Sequence, residues 1–141
     1  MRHQPIEQIL AAATLLERPA TLSRRERLTR WAELLNREGP RLLQPLKYVE
    51  FYAPPERARL RADQSPIEIA FADPVLRDAG LAGDTFGHAQ TFFGLPDREA
   101  HFLLCDCHWR GRMTGDAAAK RVRAVANPNL LNRLWMAMVA D

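Results

Sequence analysis

Signals for the beginnings and ends of helices recur at short intervals along the whole chain, and they limit what it can fold into. Ser23, with Glu26 three residues later, forms a capping box. Ser65-Pro66-Ile67-Glu68 repeats this pattern with proline at the first helical position. Further start signals stand at Asp73, Asp84, Pro96-Asp97, Thr114 and Asn129, and stop signals at Pro19, Gly39-Pro40, Gly80, Gly94 and Asn127-Pro128. We therefore predict an all-α fold, a compact bundle of about seven or eight short-to-medium helices.

The spacing of these signals leaves no segment long enough to separate two domains, so residues 1–141 are expected to form a single helical domain. A first helix is predicted over residues 5–18, where apolar side chains follow helical spacing. Another helix is predicted from Asp97 to about His108. The run Lys47–Tyr52 has some strand character, but no second strand is evident elsewhere, so no sheet is predicted.

The composition is that of an ordinary globular protein, with 47% hydrophobic and 26% charged residues. No run of 18 apolar residues is present to form a transmembrane helix, and the N-terminus lacks the apolar core of a signal peptide. We therefore expect a cytoplasmic protein. The basic residues comprise 18 arginines and two lysines, a bias typical of a GC-rich bacterial genome.

One stretch carries residues suited to chemistry. On a helix running to His108, the side chains of His101, Cys105 and His108 share one face at positions i, i+4 and i+7. Imidazole and thiolate are donors that zinc favours, and His88 on the preceding helix offers a fourth ligand. These four residues form the candidate metal site.

Ordinary packing explains the same residues without a metal. Ala100, Leu103, Leu104 and Cys107 form a more apolar stripe and are expected to face the core. The pattern matches no standard zinc motif, since those need two separated ligand pairs. A catalytic thiol is disfavoured because Asp106 points away from the histidine face and no glycine-rich turn follows the cysteine. Cys105 and Cys107 stand two positions apart, do not face each other on a helix, and are predicted to be reduced thiols.

Other functional signatures are weak. No GxxxxGK[ST], GxGxxG or GxSxG motif occurs, so an enzyme is not favoured. The last third is basic and suggests a nucleic-acid-binding module. However, its loop at 109–113 is longer than a helix-turn-helix turn, and its second helix begins with Gly115 and Asp116. A solvated basic face explains these charges equally well. The basic residues in question are Arg110, Arg112, Lys120, Arg121, Arg123 and Arg133.

The last predicted helix is apolar on nearly all sides, which is typical of a helix buried in a core or against a partner. Leu130, Leu134, Trp135 and Met138 are its candidate interface residues. They predict either a homodimer through this helix or docking within the chain. The favoured hypothesis is a non-catalytic helical protein that acts through protein contacts. The alternatives are a metal-binding or thiol-dependent protein that uses the His101/Cys105/His108 face, and a nucleic-acid-binding module.

Overall fold

The computed structural model describes residues 22–140, and the helix predicted over residues 5–18 lies outside them. Within this range the chain is mostly helical, as predicted. Eight α-helices are present: α1 (Arg24–Glu38), α2 (Pro54–Arg57), α3 (Pro66–Phe71), α4 (Pro74–Asp78), α5 (Phe86–Phe93), α6 (Asp97–Leu104), α7 (Gly115–Ala126) and α8 (Leu130–Ala140). Two single turns of 3₁₀-helix cover Val49–Phe51 and Asp106–His108.

The expectation of no sheet is wrong, because two short strands pair. Strand β1 (Leu42–Leu43) lies antiparallel to β2 (Met113–Thr114), with Leu42 opposite Thr114 and Leu43 opposite Met113. Each strand is only two residues long, too short to leave an alternating hydrophobic pattern in the sequence. The pair ties the segment after α1 to the segment before α7.

Most of the predicted helix caps are confirmed. The capping box of α1 forms with both of its reciprocal hydrogen bonds, between Ser23 and Glu26. The side chains of Ser65, Asp73 and Thr114 likewise accept a backbone N–H bond at the starts of α3, α4 and α7. The exception is α5, which is capped by Thr85 and not by Asp84. Asp84 instead lies 3.6 Å from the guanidinium of Arg61.

The core is built around α1, which packs mainly against α7. Trp31 of α1 is fully buried, stacks on Phe93 at a ring-centroid distance of 4.3 Å, and donates its indole N–H to the carbonyl of Pro66 at 2.8 Å. The start of α7 meets the end of α1, where the N–H of Gly115 bonds the carbonyl of Arg41. None of the helices described for residues 22–140 is long and apolar enough to cross a membrane.

Candidate functional site

Helix α6 ends at Leu104, so the prediction that it continues to His108 is wrong. Cys105 has an extended backbone, with φ −94° and ψ 138°, and the 3₁₀ turn Asp106–His108 follows it. The helical wheel that grouped His101, Cys105 and His108 therefore does not apply after Leu104. Cys105 lies on the inner side with no exposed surface, whereas Cys107, expected on the core stripe, is exposed.

The helix ends there because a distant segment pairs with its last turn. The N–H of Leu46 donates to the carbonyl of Leu104 at 2.7 Å, and the N–H of Asp106 donates to the carbonyl of Leu46 at 2.9 Å. Leu46 and Cys105 thus form a parallel β-bridge. The segment that begins at Lys47, which has strand character in the sequence, follows this bridge directly. It leads into the turn Val49–Phe51.

This pairing brings Glu50 into the site, a residue that sequence reasoning missed. Its carboxylate Oε2 lies 3.6 Å from the Sγ of Cys105. Donor atoms of Glu50, Cys105 and Cys107 all lie within 4.8 Å of one another. A glutamate 55 residues away in sequence carries no local signal for this role.

A second group of donors shares Cys107 with the first. Donor atoms of His101, Cys107 and His108 also lie within 4.8 Å of one another. The structure therefore places two of the four predicted ligands, His101 and His108, in one group and a third, Cys105, in the other, and Cys107 belongs to both groups. We call the five residues of the two groups the donor cluster: Glu50, His101, Cys105, Cys107 and His108.

The fourth predicted ligand, His88, is outside the donor cluster. Its Nδ1 lies 2.7 Å from the hydroxyl oxygen of Thr85, the residue that caps the same helix. Its ring also stands against the backbone of Gly83, where an added Cβ would overlap it. These contacts give His88 a local structural role at the start of α5.

The two cysteines face each other, contrary to the expectation from helical spacing. Their Sγ atoms are 2.7 Å apart, and the backbone N–H of Cys107 donates to the Sγ of Cys105 at 3.4 Å. The extended backbone at Cys105 followed by a tight turn makes this approach possible. Asp106, which lies between them in sequence, accepts the backbone N–H of Tyr48 at 3.1 Å, and the same Oδ1 lies 3.7 Å from the Sγ of Cys105.

His101 is the partly buried histidine in the last turn of α6. Its ring packs against Phe86 at a centroid distance of 5.6 Å and lies 6.3 Å from the ring of His108. Its Nε2 is buried, and no atom of the described residues forms a hydrogen bond with it. A buried polar nitrogen without a partner is costly, so a water molecule or an ion is expected beside this atom.

The pKa values of the residues in the donor cluster are shifted in different directions. Burial, followed by the charge of Arg57, lowers the pKa of His101, so its imidazole is neutral at neutral pH. Burial raises the pKa of both Cys105 and Cys107, and both thiols are therefore protonated at neutral pH. Its own backbone N–H lowers the pKa of Glu50, which is ionised. A metal ion would meet one carboxylate and one neutral imidazole at once, and it would displace a proton from each thiol that it binds.

Helix α8 places the four predicted interface residues on two different sides. Leu130, Leu134 and Met138 are exposed, at 70%, 59% and 70% of their possible surface. Trp135 faces inward and packs edge-on against Phe102 of α6 at 6.1 Å.

Among the basic residues of the last third, Arg121 is buried and donates to the carbonyl of Phe102 at 2.8 Å. Its guanidinium is therefore held inside the fold and does not belong to the basic surface.

Comparisons of this chain with protein-family models, with curated proteins and with solved structures gave no match.

Proposed function

We propose that this protein binds a zinc ion through His101, Cys107, His108 and Glu50, and that the ion fastens the turn at Val49–Phe51 to the end of α6. The observation that carries the proposal is the buried Nε2 of His101, which has no partner in the described part of the chain and lies in a group of nitrogen and sulfur donors. A site with four protein ligands is closed, which is typical of a structural zinc centre.

The donor types favour zinc over other divalent ions. Thiolate and imidazole suit Zn²⁺, whereas Mg²⁺ and Ca²⁺ prefer all-oxygen sites. One thiolate and one carboxylate balance the two positive charges of the ion, and the two histidines bind as neutral ligands. A neutral complex suits this site because half of it is enclosed by the core.

Glu50 is a better fourth ligand than Cys105 for a geometric reason. Two thiolates on one tetrahedral zinc lie roughly 3.8 Å apart, given Zn–S bonds of about 2.3 Å. The Sγ atoms of Cys105 and Cys107 are 2.7 Å apart, so they would have to separate by about 1 Å, and the ion would have to reach Cys105, which has no exposed surface. Glu50 is exposed on a short turn, and its carboxylate, which is grouped with Cys107 and not with the histidines, can turn towards the ion without disturbing the core.

Zinc titration of a matched set of variants tests the proposal. We expect one zinc per chain in the wild type, and loss of binding in His101→Phe, Cys107→Ser and His108→Ala. Cys105→Ser is the control, and its loss of affinity is expected to be at least about tenfold smaller than that of Cys107→Ser, because an outer-shell change costs less than a ligand.

Urea unfolding separates a ligand role for His101 from a packing role. Without zinc, His101→Phe is expected to be about as stable as the wild type, since it removes an unpartnered buried nitrogen. With zinc at 100 times its Kd, the wild type gains about 2.7 kcal/mol and His101→Phe gains nothing. Equal zinc-dependent stabilisation of both proteins would contradict the proposal.

The exposed side of α8 supports a second candidate function, contact with another copy of this chain. Leu130, Leu131, Leu134 and Met138 form an apolar patch there, and Arg133 is the one charged residue of the helix. Two such patches can pack across a twofold axis without burying like charges against each other. This candidate is the homodimer predicted from the sequence.

Sedimentation at several protein concentrations tests the homodimer. We expect a dimer that Leu134→Glu converts to a monomer, while Lys47→Glu, an exposed change on another surface, leaves it intact. A wild type that is monomeric at all concentrations would rule out the homodimer. The exposed side of α8 would then be available to residues 1–21 of the same chain or to a different protein.

A further inference from the structure

The distance between the Sγ atoms of Cys105 and Cys107 is closer to that of a disulfide than to that of two thiolates bound to one zinc ion. The two atoms are 2.7 Å apart, against about 2.05 Å in a disulfide and roughly 3.8 Å for two thiolates on one zinc. Bond formation therefore needs the smaller movement. The extended backbone at Cys105 and the turn that follows it bring the two sulfur atoms together.

The two sulfur atoms differ in access in a way that suits a thiol–disulfide exchange. Cys107 is exposed and can meet a small molecule from solution, whereas Cys105 is fully buried and contacts only groups of the protein. The Sγ of Cys105 lies 2.7 Å from that of Cys107, close enough to attack a mixed disulfide there once the small thiolate released in the first step has taken its proton. The chain contains only these two cysteines, so any disulfide within one chain must join them.

We propose that Cys105 and Cys107 form a reversible disulfide that releases the zinc ion, which makes this pair a redox-controlled modification site. The inference rests on the zinc site proposed above. It adds a role for Cys105, which is not a ligand: its thiol forms the disulfide that removes the ligand Cys107 from the metal.

The reaction needs a small-molecule disulfide as oxidant. The thiolate of Cys107 attacks one sulfur of that molecule, its S–S bond breaks, and the first small thiol leaves. The thiolate of Cys105 then attacks the Sγ of Cys107 in the mixed disulfide and expels the second small thiol. Two electrons pass from the protein to the oxidant. Because Cys107 enters the reaction as a zinc-bound thiolate, only Cys105 supplies a proton, which ends on one small thiol, and water protonates the other.

Oxidation removes the only thiolate from the zinc site. The disulfide sulfur carries no negative charge and is a poor ligand, so the ion keeps two histidines and Glu50. The complex then carries a net positive charge in a half-enclosed site. Loss of this ligand should weaken binding by more than the roughly 10–100-fold cost of losing an outer-shell partner.

The experiment uses the full-length chain, loaded with zinc under reducing conditions and then moved through a series of ratios of oxidised to reduced glutathione. Intact mass spectrometry, after alkylation of free thiols, reports the disulfide as a loss of about 2 Da with no alkyl groups added. A chromogenic chelator reports released zinc in the same samples. We expect both signals to rise together in the wild type and to reverse on reduction.

Cys105→Ser is the matched variant. It keeps all four proposed ligands but has no second thiol to complete the exchange, so it should retain zinc at glutathione ratios that empty the wild type. Its circular dichroism and zinc-bound melting curve verify that it is folded.

Two results would overturn the inference: oxidised wild type that carries only glutathione adducts, or a disulfide that forms while zinc stays bound. A reduced wild type that takes up no zinc contradicts the proposed function before any oxidant is added. The two failures are therefore distinguished within one series of samples.

Discussion

Among single residues, Asp73 shows how one carboxylate connects local and tertiary structure. It is the N-cap of α4 and accepts the backbone N–H of Leu76 at 3.2 Å. The same carboxylate accepts two hydrogen bonds from the guanidinium of Arg30 on α1, at 3.0 and 2.8 Å. Its side chain is only 5% exposed, so this ion pair is weakly screened by solvent.

The ion pair predicts a specific dependence of stability on pH. The hydrogen bonds from Arg30 lower the pKa of Asp73 below its ordinary value, although burial opposes them. Its contribution is therefore complete above the unfolded-state pKa of about 3.9 and is lost as the pH falls through the lower folded-state pKa. We expect Asp73→Asn to cost roughly 1.5–3 kcal/mol at pH 7, the range for hydrogen bonds to charged groups.

Urea unfolding of both proteins from pH 7 down to pH 2 measures this difference. The gap between wild type and Asp73→Asn should narrow only below about pH 4. Asp78→Asn, a change at an exposed carboxylate of the same helix, serves as the control. A gap that narrows between pH 7 and pH 5 would show that a different group is responsible.

At the scale of elements, the crossing of α1 and α7 depends on the absence of a side chain at Gly115. A Cβ at this position would overlap the carbonyl of Leu35 and lie 2.7 Å from the Cβ of Glu38. The backbone of α7 can approach α1 this closely only because its first residue, Gly115, has no side chain. The same approach lets Met113 and Thr114 pair with β1.

The sign of the stability change in Gly115→Ala therefore distinguishes an effect of helix propensity from an effect of packing. Propensity alone predicts a gain of up to about 1 kcal/mol. We expect instead a loss of about 1–3 kcal/mol, since the added methyl group forces the two helices apart. Ala117→Gly, at an exposed position of the same helix, is the control and should cost about 0.5–1 kcal/mol. Denaturant midpoints measure both, and a stabilised Gly115→Ala would refute the packing argument.

At the scale of the whole molecule, one side of α8 packs against the rest of the fold, and the described residues leave its other side uncovered. Trp135 lies between the ring of Phe102 and the ammonium group of Lys120, which is 4.7 Å from its indole centroid. Leu131 and Leu134 on the other side are 77% and 59% exposed.

Truncation of each side of α8 should therefore have different effects on the stability of one chain. We expect Trp135→Ala to lower the free energy of unfolding by roughly 2 kcal/mol or more, because it removes a large partly buried ring. Leu134→Ala should change it by less than about 0.5 kcal/mol, as is usual at exposed positions. Thermal unfolding at low protein concentration measures both, and a larger effect at Leu134 would place that side chain inside the fold.

The helices themselves could be predicted from the sequence because their signals are local. The caps at Ser23, Ser65 and Thr114 act within three residues, and the chain near each cap carries all the information needed. The amphipathic stripe of α1, with Trp31 and Leu35, likewise identified buried positions correctly. Local hydrogen bonding therefore determined where most of the helices begin and which faces they bury.

The donor cluster was decided by tertiary structure. The helix predicted to run to His108 stops at Leu104 because Leu46, far away in sequence, donates its N–H to the carbonyl of Leu104 and accepts the N–H of Asp106. That exchange reverses the exposure of Cys105 and Cys107 and brings Glu50 to them. A β-bridge between distant segments leaves no periodic trace in either one, so the sequence by itself specified the residue types of the site but not their arrangement.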